Sequence, residues 1–278
     1  MAHALLCPSD VQRAQALLRG CALPLPEARS LLAYSLGVRR EHLIAHPEEP
    51  VDEQTRADFE RLVADRQRGV PMAYLLGVQE FYGHGLCVSP EVLVPRPETE
   101  VLVQTGLQLL CGRAQARVLE LGTGSGCIAV ALALARPDLW IVATDRSKAA
   151  LRVARKNCAR LGATVQLVAG NWYAPIRGRF DLIVSNPPYV SVADPHLAQL
   201  RFEPRAALTD EDDGLSALRT VIAGAPTRLA AGGHLLVEHG YDQGAAVRGI
   251  MRQHGLARVV TLRDLSGQER AGLGQRAR

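Results

Sequence analysis

The chain has 278 residues, 47% of them hydrophobic, which is enough for one large domain or two ordinary ones with a sizeable core. The formal net charge of +4 is slight, and acids and bases are interspersed, which excludes a nucleic-acid arm built from a basic block. No apolar run is long enough to cross a membrane, so no membrane span is expected, and the lack of a basic block means that no stable nucleic-acid binding is expected either.

Only Lys148 and Lys156 of the 32 basic residues are lysines, a skew that codon bias explains without a guanidinium function. The six cysteines (Cys7, Cys21, Cys87, Cys111, Cys127, Cys158) are scattered, with no C-x-x-C and no zinc spacing. That usage suits a reducing compartment, the cytoplasm, and predicts no metal site. The opening "MAHALLCPSD" lacks a basic region followed by an apolar stretch, so no signal peptide is expected. There is no internal repeat.

Residues 1–71 read as helices only. "PSDVQRAQALLRG" offers Ser9 or Asp10 as N-cap, Val11, Ala14, Leu17 and Leu18 on one face, and Gly20 as stop. "LPEARSLLAYSLG" repeats the scheme with Pro26 in the first turn and Gly37 at the end, and "VDEQTRADFERLVADRQRG" is a third helix capped near Asp52. Such helices make a small bundle. Residues 72–94 change character: two β-like stretches around Gly83-His84-Gly85 predict a hairpin linker between domains. A helix follows Pro97.

From about Arg117 strands and helices alternate through "RVLELG", "WIVATD", "TVQLVAG", "FDLIVSN" and "HLLVEHG". Alternation of this kind predicts an α/β domain over 95–278, a doubly wound and mostly parallel sheet with its site at the carboxyl ends of the strands. Glu120, Asp145, Asn171, Asn186 and Glu238 fall at those ends. The C-terminal "RAGLGQRAR" reads as weakly strand-like at best.

"LELGTGSGCIAV" sets Gly122, Gly124 and Gly126 between the first strand and its helix, where the backbone can turn tightly against a ligand. The spacing G-x-G-x-G is not the dinucleotide fingerprint, whose third position here is Cys127. No P-loop, nucleophile elbow or zinc helix is present in the sequence. Asp145 lies about 20 residues on, where a carboxylate accepts both hydroxyls of a ribose, and Glu120 is placed to meet an ammonium group. A ligand with a ribose and an ammonium but no phosphate fits this pair, so S-adenosylmethionine is favoured over NAD.

"SNPPYV" leaves a buried strand and at once uses two prolines. Proline fixes its own φ and restricts the preceding residue, so Asn186 and Pro187 are held extended and stiff. The Asn186 side-chain carbonyl and a proline backbone carbonyl could each accept one N–H of a planar NH₂ group, with Tyr189 stacked on it. Such a nitrogen is a poor nucleophile. Two fixed acceptors let electron density build on it without a strong base.

"LELGTGSG", "ATDRS", "SNPPYV" and "VPRPETE", with "FEPRAAL" and "EHGYDQG", resemble the release-factor glutamine methyltransferase (PrmC or HemK) family along nearly the whole chain. The resemblance implies a Rossmann-like S-adenosyl-L-methionine-dependent methyltransferase domain behind a small helical, substrate-docking domain and a β-hairpin. It implies methyl transfer to the side-chain amide of the glutamine in the G-G-Q loop of peptide chain release factors, with S-adenosyl-L-homocysteine as product. Carried over, Glu120, Gly122, Thr123, Gly124, Ser125, Gly126, Asp145, Asn171 and Trp172, with Asn186, would hold the cofactor. Asn186, Pro187, Pro188 and Tyr189 would hold the glutamine and direct the chemistry, with Arg96 and Glu98 beside them. Asn171 stands where the family pattern has an acid. N-P-P-Y is shared with adenine-N6 nucleic-acid methyltransferases, which remain the alternative, although residues 1–71 carry no basic stripe. Glu100 flanks the site with Arg96 and Glu98 on the same resemblance, either meeting substrate or serving the helix start, while Glu203 and Pro204, Phe81 and Tyr82, and the histidines His84 and His239 read as structural.

Overall fold

The computed structural model describes residues 12–277. The chain divides into two compact units, the first ending at Gly77 and the second beginning at Val78.

The first unit is built on α1 (Ala14–Gly20), α2 (Leu25–Leu36), α3 (Arg40–Ala45), α4 (Glu53–Gln67) and α5 (Met72–Leu76). Leu31, Leu32, Leu43, Phe59 and Leu62 make its core. The Asp52 side chain caps α4 by accepting from Thr55 N at 2.8 Å, and α2 ends at Gly37 in a left-handed conformation. Arg66 and Glu27 form a two-pronged ion pair (2.7 and 2.9 Å) that ties α4 to α2.

The unit is not purely helical. Gln12–Arg13 (β1) pairs antiparallel with Pro50–Val51 (β2). The expected caps Ser9 and Asp10, with Val11, lie outside the described residues. Helix α1 instead starts at Ala14, and its first amides are met by Glu49 O and Pro47 O, both at 2.9 Å. A loop carbonyl pair thus replaces the side-chain cap that the sequence suggested. Met72–Leu76, read from sequence as the start of the linker, is the short helix α5, and Met72, Leu75 and Leu76 pack on this unit's core.

The second unit opens with a hairpin of β3 (Val78–Phe81) and β4 (His84–Cys87). Its two-residue turn is Tyr82-Gly83, at φ 51° and 75°, so His84 and Gly85 belong to the strand rather than the turn. Phe81 and Leu86 are buried in the core of this unit. Then come a 3-10 turn (Pro97–Thr99), α6 (Glu100–Leu109), β5 (Arg117–Leu121), α7 (Cys127–Ala135), β6 (Trp140–Asp145), α8 (Lys148–Leu161), β7 (Gln166–Ala169) and β8 (Phe180–Ser185). A 3-10 turn (Pro195–Ala198), α9 (Arg205–Leu208), α10 (Ser216–Arg228), β9 (Leu229–Glu238), α11 (Gly244–Gln253), β10 (Leu256–Arg263) and β11 (Glu269–Arg276) complete it.

The seven-stranded sheet runs β10-β11-β9-β8-β5-β6-β7, parallel from β9 through β7 and antiparallel at β10 and β11. Successive side chains of a strand face opposite sides. Accordingly Val118, Leu182, Val184 and Leu236 pack against α6, α7 and α8, while Leu119, Ile183, Leu235 and Val237 pack against α10 and α11. Burial on both faces explains the continuous apolar runs of these strands. The chain order reverses beside β5, and the carboxyl ends of β5, β6 and β8 meet there.

The C-terminal segment is a full strand, contrary to the sequence reading. Its two glycines are the reason for both facts. A Cβ on Gly272 would lie 2.7 Å from Val247 Cγ1, and one on Gly274 3.3 Å from Met251 Sδ. They let α11 approach β11 closely while lowering the local strand signal.

Candidate active site

The cleft at these strand ends has a volume of about 420 Å³, within the ordinary range for a small-molecule site. The turn after β5 forms its floor. Gly122, Gly124 and Gly126 all have positive φ (71°, 55° and 83°), a region that costs other residues strain. At Gly126 a Cβ would also press to 3.2 Å from that of Ala154, so glycine is needed twice over where α7 begins. Asn157 ties this turn to the hairpin. Its Oδ1 accepts from Cys87 N at 2.7 Å, and its Nδ2 donates to Cys87 O and Ser125 O, both at 2.9 Å.

Two acids frame the turn. Asp145 ends β6, its Oδ2 accepting from Gly124 N (2.9 Å) and its Oδ1 from Ser147 N (2.8 Å). Both oxygens keep lone pairs for a ligand. Glu120 is 1% exposed, and its Oε2 accepts from Thr123 Oγ1 (2.7 Å) and Ala129 N (3.2 Å), leaving Oε1 for the cleft it lines. Burial pushes the Glu120 carboxyl up to about 8, only partly offset by Thr123 and Ala129. A positive charge in the cleft would favour its ionised form.

Opposite lies the loop Asn171–Pro175. Asn171 and Trp172 line the cleft, and Trp172 has φ 46°. That strain is held by its neighbour: Tyr173 donates its hydroxyl to Val221 O at 2.7 Å and packs where Gly224 leaves room. The Trp172 ring edge comes within 3.6 Å of where a Cβ on Gly122 would be, so indole and glycine turn bound one slot.

Asn186 follows β8 directly. Its Nδ2 donates to Thr99 Oγ1 at 3.2 Å, and its Oδ1 carries no hydrogen bond among the described residues. The side chain therefore offers the cleft an acceptor. Tyr189 donates its hydroxyl to Glu238 Oε1 at 2.9 Å, and burial beside that carboxylate pushes the phenol pKa well up. Gln243 of "EHGYDQG" braces the same loop, donating to Tyr189 O (2.9 Å) and Gly214 O (3.2 Å).

Of the residues expected from sequence, Arg96, Glu120, Gly122, Thr123, Gly124, Ser125, Asp145, Asn171, Trp172, Asn186 and Pro188 line the cleft together. Gly126, Pro187, Tyr189 and Glu98 stand outside its lining. Arg96 is paired with buried Glu203, whose other oxygen accepts from Val94 N at 3.1 Å, so these three tie the loop before α6 to the loop after β8. Glu100 faces the hairpin, accepting from Tyr82 N at 2.9 Å. Sequence reasoning passed over Asn157, Asp210 and Gln243. Asn157 had a signal: it lies on the stripe of Leu151, Ala154 and Cys158, where an amide is out of place unless it is bonded. Asp210 accepts from Ser216 N (2.7 Å) and Gly214 N (3.1 Å) and so starts α10 at the cleft edge.

Glu120 supplies a pH prediction. Its folded pKa lies above the unfolded value, so between about 4.5 and 8 the folded state holds the proton more tightly. Stability therefore falls as pH rises through that window, and Glu238, pushed up to about 7 by burial, adds in the same direction. The ligand-free protein should melt at least ~3 °C lower at pH 8 than at pH 6. Glu120→Gln should flatten the slope, as followed by thermal unfolding in matched ionic strength.

Residues 98–202 match the profile of the methyltransferase small domain, and residues 11–77 that of the PrmC N-terminal domain. A solved methyltransferase from Pyrococcus furiosus shares the fold, with TM-score 0.57 and 18% identity over 77% of this chain and all of that one. Fold and cleft together are those of a Rossmann-like methyltransferase. The release factor glutamine methyltransferase of Bordetella pertussis is 53% identical over 262 residues, 93% of this chain and 97% of that protein. That of Burkholderia pseudomallei is 49% identical over 278 residues, 96% and 97% of the two chains. The chain belongs to the release factor glutamine methyltransferase family.

Proposed function

We propose that the cleft binds S-adenosyl-L-methionine and methylates the side-chain amide nitrogen of the glutamine in the G-G-Q loop of peptide chain release factors, in the cytoplasm. The observation that carries this reading is the Asn186 amide, anchored through its nitrogen so that its unpaired oxygen lies in the same cleft as Glu120 and Asp145.

The residues suit that cofactor. Asp145 has lone pairs for ribose hydroxyls, Glu120 a buried carboxyl that a positive ligand would ionise, and Trp172 with Gly122 a slot for a flat base. Asn171 can accept from an adenine amino group as an acid would, while offering a donor as well. The cofactor supplies a methyl group on a positively charged sulfur, ready for a nucleophile in line behind it.

The protein's part is to hold the glutamine nitrogen. Asn186 Oδ1 accepts one of its N–H groups and a carbonyl of the Pro187-Pro188 pair the other. Both acceptors grow stronger as positive charge develops on the nitrogen, and the prolines keep them from relaxing away. No general base is needed on that nitrogen, because its proton leaves readily once the methyl is attached.

The test is incubation of the purified protein with S-adenosylmethionine and a bacterial release factor, followed by peptide mass spectrometry, with an adenine-containing duplex alongside. A single-methyl gain localised to the G-G-Q glutamine is the expected result. Methyl in the duplex instead would replace this reading with the nucleic-acid one.

A further inference from the structure

We infer that Thr99 and Glu238 act as a positioning relay that fixes which end of the Asn186 amide faces the substrate. The inference rests on the methyl-transfer reading above and adds two residues to it.

A primary amide is nearly symmetric in shape. Turning it by half a revolution exchanges an acceptor oxygen for a donor NH₂. An enzyme that grips an NH₂ group must present oxygen, since two NH₂ groups facing each other repel. Asn186 is held the right way round by one bond, Nδ2 to Thr99 Oγ1 at 3.2 Å. A hydroxyl both donates and accepts, so that bond specifies orientation only if the Thr99 proton is committed elsewhere.

Glu238 provides the commitment. It ends β9, is 1% exposed, and when ionised accepts only. Tyr189 fills its Oε1, while its Oε2 is buried without a hydrogen-bond partner among the described residues. Burial pushes the Glu238 carboxyl up to about 7, while the Thr99 hydroxyl against it, with Tyr189 and the charge of Arg270 on β11, works the other way, so that the carboxylate that forms is the one Thr99 can donate to. A buried acceptor with nothing to accept thus sits beside a hydroxyl with a proton to give. Once Thr99 donates to Glu238, it can only accept from Asn186, and the amide oxygen is forced toward the cleft. Both polar side chains of N-P-P-Y then hang on one carboxylate, Tyr189 directly and Asn186 through Thr99.

Thr99→Val removes the hydroxyl at nearly constant volume, and Thr99→Ser keeps it. Glu238→Gln can donate to Thr99, which then offers its own proton to Asn186 and favours the inverted amide. Methyl transfer to the G-G-Q glutamine is followed with cofactor affinity and thermal unfolding for each variant. Thr99→Val should lower kcat about tenfold or more with cofactor Kd within about twofold of the parent, and Thr99→Ser should recover to within about threefold. The double variant Thr99→Val/Glu238→Gln should be no worse than Glu238→Gln alone, because both changes break one chain. An active parent whose Thr99→Val variant keeps its kcat, or whose two changes multiply, would overturn the relay alone. A parent that binds cofactor but leaves the glutamine unmodified would overturn the methyl-transfer reading and the relay with it.

Discussion

Asn186→Ala is expected to lower kcat for methyl transfer by about 10²–10³-fold while leaving cofactor affinity within about threefold, as measured by single-turnover assay and calorimetry. The magnitude is that of removing one fixed hydrogen-bonding group aimed at charge that develops during reaction. The substitution deletes the only side-chain oxygen that N-P-P-Y presents to the cleft and leaves Thr99 Oγ1 without its donor. It does not touch the glycine turn, Asp145 or the Trp172 loop, which form the proposed cofactor site. A loss in kcat with binding intact therefore isolates the amide grip. Full activity in the variant would discard that mechanism.

The sequence made much of the parallel core readable because β5, β8 and β9 are apolar on both faces, and β5, β6 and β9 each run into a helix, some with clear start and stop signals. Ser147, for instance, caps α8 by accepting from Ala150 N at 3.1 Å, and Gly162 ends it in a left-handed conformation. The glycine turn and N-P-P-Y were legible for a different reason: glycine and proline act through the backbone, so their local meaning survives without knowledge of the fold.

What stayed hidden depends on contacts distant in sequence. The glycines of β11 make sense only once α11 is packed on them. Asn157 bonds residues 70 and 32 positions away, and Glu203 reaches back 109 positions to Val94. Even Thr99, within the conspicuous "VPRPETE", looked like part of a helix start, and its bond to Asn186 spans 87 positions. The site was readable where it is backbone and unreadable where it is held in place by remote side chains.

Asp145→Ala should act on the other half of the site, raising the cofactor Kd about 100-fold. Two hydrogen bonds from ribose hydroxyls to a carboxylate are together worth about 3 kcal/mol in this setting, and each 1.4 kcal/mol is tenfold in affinity. The same carboxylate also steadies the turn through Gly124 N and Ser147 N, so part of the loss would come from a looser floor. Those amides border an open cleft and are rehydrated in the variant, which keeps the cost to global stability small. At saturating cofactor, kcat should stay within about tenfold of the parent, because Asn186 and its supports are untouched. That split, opposite to the one expected for Asn186→Ala, separates holding the donor from holding the acceptor. An unchanged Kd by calorimetry would remove Asp145 from the ribose and leave it as a turn-stabilising residue only.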